Sequence, residues 1–147
     1  MVKPLFGGCV CCEISGNLIE AVGMIEAEVK PDWIIIEMTG MAFMDSIREV
    51  FEKHASLDYR IYTLSVADAS RWDVLMLAAR QIIEHQLEGV DIVILNKIDE
   101  NPDYEKHLPE ISEMSGGAPC VPISARAISE AEIWEQIQSI RRRRNES

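Results

Sequence analysis

The chain has 147 residues, 48% hydrophobic and 27% charged, which is enough for one domain with a real core in a soluble globular composition. No window approaches the ~20 consecutive apolar residues of a transmembrane helix, and the opening Met1 to Gly8 is too short and broken for a signal peptide. A formal net charge of −11 argues against a nucleic-acid-binding face, and four cysteines, with Cys9, Cys11 and Cys12 clustered, do not resemble a secreted disulfide framework, so the expected compartment is the cytoplasm.

Gly7-Gly8 leads into the cysteine cluster as a glycine-entered loop. Ile14, Leu18, Val22, Ile25 and Val29 follow at helical spacing, placing the cysteines at or just before a helix N-terminus. After the breaker Pro31-Asp32, Trp33-Ile34-Ile35-Ile36-Glu37 predicts a buried strand, and Phe43, Ile47, Val50, Phe51 and His54 mark a second helix. Residues 60–66 predict another strand, ending near Asp68. Ser70 with Asp73 predicts a capping box for an amphipathic helix carrying Trp72, Leu75, Ala79, Ile82 and Ile83. Asp91-Ile92-Val93-Ile94-Leu95 predicts a strand buried on both faces, closed by the polar tetrad Asn96-Lys97-Ile98-Asp99.

Asn101-Pro102 predicts a helix start, interrupted or restarted at Pro109 and ended before Gly116-Gly117. Residues 118–123 predict a short, proline-limited strand leading into Ser124-Ala125, and Ser129 with Glu132 predicts a capping box for a last helix lined by Ile133, Trp134, Ile137 and Ile140. Arg141 to Arg144 suit the C-terminal end of that helix, with residues 141–147 expected to fray as a basic tail. The alternation of helix and strand predicts an α/β fold with a mostly parallel sheet and flanking helices, in a single domain.

In open α/β sheets ligands bind at the carboxyl ends of strands, where several polar devices fall. Asp99 is placed to accept hydrogen bonds from both the ring N–H and the exocyclic amine of guanine, a pair that adenine does not offer. Asn96 can meet another polar edge or brace the loop, and the stem of Lys97 can lie over the ring. Ser124-Ala125 can give a backbone N–H to the guanine carbonyl. Glu37 suits a hydrated magnesium ion, and Gly40 permits close backbone approach to a terminal phosphate. The bland alternative is a set of solvated strand-end turns.

Cys9, Cys11 and Cys12 are soft donors suited to zinc or cuprous copper, the alternatives being a redox pair or a cysteine-rich turn. Cys120, on a strand, reads as a small buried hydrophobe. None of Lys3, Lys30, Lys53, Lys97 and Lys106 stands in the Gly-Lys-Ser/Thr of a P-loop.

Gly8-Cys9-Val10-Cys11-Cys12, Glu37-Met38-Thr39-Gly40 and Asn96-Lys97-Ile98-Asp99, in that order, resemble the CobW-type metallochaperone GTPases, relatives of the nickel chaperones HypB and UreG. Val66-Ala67-Asp68-Ala69 and Gln86-Leu87-Glu88-Gly89-Val90-Asp91 are similar to smaller features of that family, and the similarity runs from Gly8 to about Ile140. The resemblance implies a P-loop NTPase-like, Rossmann-like three-layer fold over residues 1–147, a single incomplete G domain without the family's first strand and P-loop.

It further implies GTP or GDP with Mg2+ as ligand. Glu37 and Gly40 would be the magnesium and switch residues, and Asn96, Lys97, Asp99, Ser124 and Ala125 the guanine-binding set. Cys9, Cys11 and Cys12 would carry a transferred Zn2+ or Co2+. The implied activity is GTP-dependent metal trafficking or insertion, which has a cobalamin link in this family. Expected partners are a client metalloprotein or corrinoid enzyme, with a homodimer or second chain supplying the P-loop. The competing readings are a non-enzymatic zinc-binding or interaction module and a truncated GTPase fragment.

Overall fold

The computed structural model describes residues 13–38, 48, 49, 51, 53 and 60–145, and the chain divides into two compact units, Met1–Ile61 and Tyr62–Ser147. In the first unit the apolar spacing produces helix α1 (Glu13–Val29), whose Leu18 and Val22 form a small core with Phe51. Ile19, Ile34, Met38 and Ile61 pack around it. The buried strand expected over residues 33–37 does not form. Residues 33–38 have no regular secondary structure and join no ladder among the described residues, and Ile35 is 80% exposed. Burial on both faces needs paired neighbours and a covering layer on each side; here only Ile34 and Met38 find apolar partners, on the α1 core.

The second unit contains β1 (Leu64–Asp68), α2 (Trp72–Leu87), β2 (Ile92–Asn96), α3 (Leu108–Met114), β3 (Cys120–Pro122) and α4 (Glu130–Asn145). The three strands form one parallel sheet in the order β1-β2-β3. In the central strand, Ile92, Val93, Ile94 and Leu95 are all buried, for the reason the continuous apolar run suggested. Val93 and Leu95 face a core with Trp72 and Leu87 of α2 and Ile111 of α3, whereas Ile92 and Ile94 face Ile123 and Ile140 of α4. The unit therefore has three layers, helices α2 and α3, the sheet, and α4. It has the α/β architecture of the P-loop NTPase-like class.

β1 begins later than residue 60. Asp91 Oδ2 accepts hydrogen bonds from the Thr63 N–H (2.7 Å) and Oγ1 (3.0 Å), and the Thr63 carbonyl accepts from the Asp91 N–H (2.9 Å). This link aligns the entrances of β1 and β2, and the register runs from Leu64 opposite Ile92 to Asp68 opposite Asn96.

The capping box of Ser70 and Asp73 does not form, because Ser70 is already engaged. Its N–H (3.0 Å) and hydroxyl (2.7 Å) both donate to Asp68 Oδ1, which caps a 3-10 turn over Ala69–Arg71 ahead of α2. The box of Ser129 and Glu132 does form, with the Ser129 N–H donating to Glu132 Oε2 (2.8 Å) and the Glu132 N–H to Ser129 Oγ (3.3 Å). After α3, Gly117 adopts φ +82° and donates its N–H to the Ser112 carbonyl (2.8 Å), a left-handed helix stop that glycine adopts without strain. The basic run expected to fray from residue 141 is helical as far as Asn145.

Trp72, 1% exposed, is the largest fully buried side chain, and its indole N–H donates to Glu110 Oε2 (2.9 Å). That bond holds the Glu110 carboxyl below the usual carboxylate range; burial opposes the shift, and Arg80 Nη1, at 2.9 Å from the other oxygen, adds to it.

Leu95 is fully buried at the centre of this core. Leu95→Ala should lower the unfolding free energy by about 2–5 kcal/mol, read as a drop in the urea midpoint. A loss below ~1 kcal/mol would show that β2 is not the packed centre.

Candidate functional site

Because the sheet is parallel, β1, β2 and β3 present their carboxyl ends at one edge, bringing Asp68, Asn96 and the Ser124-Ala125 turn side by side. The tetrad turns sharply out of β2. Lys97 adopts φ 62° and ψ 37°, a left-handed conformation that costs a non-glycine residue about 1–2 kcal/mol. Two side-chain contacts hold it there. Asn96 Oδ1 accepts the Lys97 N–H at 2.8 Å, and Lys97 Nζ donates to Asp68 Oδ2 at 2.5 Å.

Asn96 Oδ1 also accepts the Ala125 N–H, at 3.0 Å. One carbonyl oxygen thus joins the loop after β2 to the loop after β3. The Ala125 N–H, expected to serve the guanine carbonyl, is engaged by Asn96 in this arrangement. Two further links cross the same gap, the Ile98 N–H to the Ile123 carbonyl (3.3 Å) and Arg126 Nη1 to Glu100 Oε1 (2.9 Å). Ser124 is buried; its carbonyl receives the N–H groups of Ala127 and Ile128, while its hydroxyl oxygen has no protein partner.

Asp99 differs from its neighbours. It sits in a 3-10 turn, Ile98–Glu100, exposed, and has no hydrogen bond or ion pair with any described residue. A braced loop therefore displays a carboxylate with no partner among the described residues.

Asp68 was legible only as the end of a strand, and its role as partner of Lys97 depends on the register that sets it opposite Asn96. Burial acts to raise its pKa, but the Lys97 ammonium and the Ser70 hydroxyl and N–H outweigh it and hold the carboxyl below its ordinary value of 3.8. Asn101, also absent from the predicted set, donates Nδ2 to the Ala69 carbonyl at 2.8 Å.

The remaining predicted site residues fall in the other unit. Glu37 is exposed, lies in the stretch 33–38, and makes no ion pair with a described residue. Gly40, Cys9, Cys11 and Cys12 lie outside the described residues. Among the described residues no group of three His, Cys, Asp or Glu side chains is arranged to hold a metal ion. Cys120 is half-buried, and burial raises its thiol pKa to about 11, so it is protonated and inert at neutral pH. No helix among the described residues is long and apolar enough to cross a membrane.

A three-layer parallel α/β unit with Asn-Lys-x-Asp at the end of its central strand is a P-loop NTPase-like arrangement. The family model for the CobW/HypB/UreG nucleotide-binding domain matches residues 1–122, and the chain belongs to that family.

The chain is 27% identical over 131 residues to a zinc chaperone, YjiA, of Escherichia coli K12, with 84% of this chain and 41% of YjiA aligned. It is 26% identical over 121 residues to a second zinc chaperone of that organism, YeiR, covering 80% of this chain and 37% of YeiR. It is 25% identical over 122 residues to the zinc chaperone CobW of a Sinorhizobium species, covering 67% of this chain and 34% of CobW. The alignments thus span well under half the length of these curated relatives. No solved structure matches the chain significantly.

The lowered Asp68 pKa gives the site a pH signature. A depressed carboxylate stabilises the fold above its unfolded pKa, and that contribution is lost as pH falls through the lower folded value. Asp68→Asn should cost about 1 kcal/mol at neutral pH, a modest figure because Lys97 is half-exposed. The gap between wild type and variant should close in acid, as measured by urea unfolding at a series of pH values. A gap that widens in acid would contradict the ion pair.

Proposed function

We propose that this chain is the nucleotide-binding part of a GTP-dependent metallochaperone. The observation that carries the reading is the exposed, uncommitted Asp99 carboxylate on a loop that Asn96 Oδ1 fastens to the following strand end. Asp99 accepts from the ring N–H and amine of guanine. The stem of Lys97 packs on the base while its ammonium stays with Asp68, and Asn96, Ser124 and Ala125 shape the rest of the pocket.

Glu37, a carboxylate with no partner among the described residues, suits a hydrated magnesium ion, which when bound would neutralise terminal phosphate charge. Gly40 would lie against that phosphate. Cys9, Cys11 and Cys12 would carry the cargo, Zn2+ by the chemistry of three thiolates and by likeness to the zinc chaperones YjiA, YeiR and CobW, with Co2+ as the alternative. The acceptor would be a client metalloprotein, a corrinoid enzyme in a cobalamin setting, and the site of action the cytoplasm.

A second reading is that these 147 residues, which contain no Gly-Lys-Ser/Thr, bind guanine nucleotide and metal while the phosphate contacts and hydrolysis depend on residues outside them. Single-turnover GTP hydrolysis, with the bound nucleotide measured in parallel, separates the two readings.

Base recognition is tested by titrating GDP, GTP and ATP in the presence of magnesium. The expected result is micromolar guanine binding, with ATP weaker by at least about 100-fold. Asp99→Asn should exchange guanine for xanthosine diphosphate, since an amide donates where the carboxylate accepted. A folded, zinc-loaded chain that fails to bind GDP up to millimolar would leave only a metal-binding module. The cargo site is tested separately: one zinc per chain, lost when Cys9, Cys11 and Cys12 are all changed to Ser.

A further inference from the structure

Asn101 stands two residues beyond Asp99, outside the tetrad, and both its backbone and its side chain secure the turn on which Asp99 rides. Its N–H donates to the Ile98 carbonyl at 3.2 Å, closing the 3-10 turn. Its Oδ1 accepts the Asp103 N–H at 3.2 Å, and its Nδ2 donates to the Ala69 carbonyl at 2.8 Å, just past the end of β1. These two bonds fix which end of the amide is nitrogen. Its second contact, 3.3 Å from Nδ2 to His107 Nε2, then has only one consistent reading, in which Nδ2 donates and Nε2 accepts.

The other ring nitrogen, Nδ1, lies 3.8 Å from Asp73 Oδ1. The ring is 4% exposed and rests beside Trp72, with centroids 6.1 Å apart, so it forms a fixed seat. Loop 96–101 is consequently held on the β3 side by Asn96 and on the β1 side by Asn101 and by the contact of Lys97 with Asp68. Asp99 has no side-chain contact with a described residue, so its placement comes from the backbone between these anchors.

We propose that Asn101, seated on His107, is a positioning residue that sets Asp99 against the base edge and so determines guanine specificity. The inference rests on the guanine-binding reading. Its readout is the ratio of GDP to IDP affinity, because the hypoxanthine base of IDP keeps the ring N–H and carbonyl of guanine and lacks only the 2-amine that Asp99 reads. A general loss of structure weakens both nucleotides alike; a displaced Asp99 weakens GDP selectively.

The experiment measures both affinities by calorimetry for the full chain and for Asn101→Ala, Asn101→Asp and His107→Gln, with a thermal melt of each. Asn101→Asp keeps the acceptor for the Asp103 N–H and removes the donor to Ala69, which covers the case in which the alanine variant unfolds. The expected result is a ratio reduced about tenfold toward unity in both Asn101 variants, and near the wild-type value in His107→Gln, whose amide oxygen replaces the Nε2 acceptor. Folded Asn101 variants that keep the wild-type ratio, or lose GDP and IDP affinity in equal measure, overturn the proposal. A wild-type chain that does not prefer GDP over IDP overturns instead the guanine reading on which it stands.

Discussion

One carbonyl oxygen, Asn96 Oδ1, holds the candidate site together. It has two lone pairs and uses both, one on the Lys97 N–H of its own loop and one on the Ala125 N–H of the next. The position of that oxygen is fixed from below. Asn96 ends a strand whose preceding four residues are buried on both faces, so it has little freedom to tilt or slide. The unfavourable left-handed Lys97 follows from the same bond, since the Lys97 N–H reaches Oδ1 while the chain turns out of the sheet. An acceptor serving two separate loops makes their geometries interdependent, and removing it would leave two N–H groups to find other partners.

The links outward from this point are asymmetric. Toward β3 they are one backbone-to-backbone bond, one backbone-to-amide bond and the ion pair of Arg126 with Glu100. Toward β1 they include an ion pair, Lys97 with Asp68, and an amide resting on an imidazole, Asn101 with His107. Glu110 extends the polar system behind α2, where it receives Trp72 on one oxygen and Arg80 on the other.

What was legible in the sequence follows from which interactions are local. β2 was legible because burial on both faces demands a continuous apolar run, and the capping box of Ser129 and Glu132 because it closes within one turn. The run Trp33 to Ile36 carries nearly the same signal as β2 and ends exposed. An apolar run states what a segment could bury, whereas neighbours on the sheet decide whether it does. Ser70 and Asp73 have the spacing of a capping box, but Asp68, two residues earlier, takes the hydroxyl first. Asp68 and Asn101 escaped as site residues because their partners are 29 and 32 residues away, a relation that exists only once the register is set.

The division of the chain constrains how nucleotide and metal could be coupled. The proposed guanine set, Asn96, Lys97, Asp99, Ser124 and Ala125, lies wholly in the unit Tyr62–Ser147, and Glu37, Gly40 and the three clustered cysteines belong to Met1–Ile61. GTP and GDP present the same base, so the proposed guanine pocket would bind both alike and contribute nothing to telling them apart. A ligand shifts a conformational equilibrium only by its differential affinity for the two states. In the proposed reading, the base pocket therefore supplies affinity and selects the nucleotide, while the free energy that would alter metal retention has to come from residues reading the terminal phosphate. Glu37 and Gly40 are the candidates for that task, and they belong to the same unit as the proposed metal ligands. On this division, weakening base recognition would change how much nucleotide is bound without changing the difference in metal affinity between the GTP-bound and GDP-bound states.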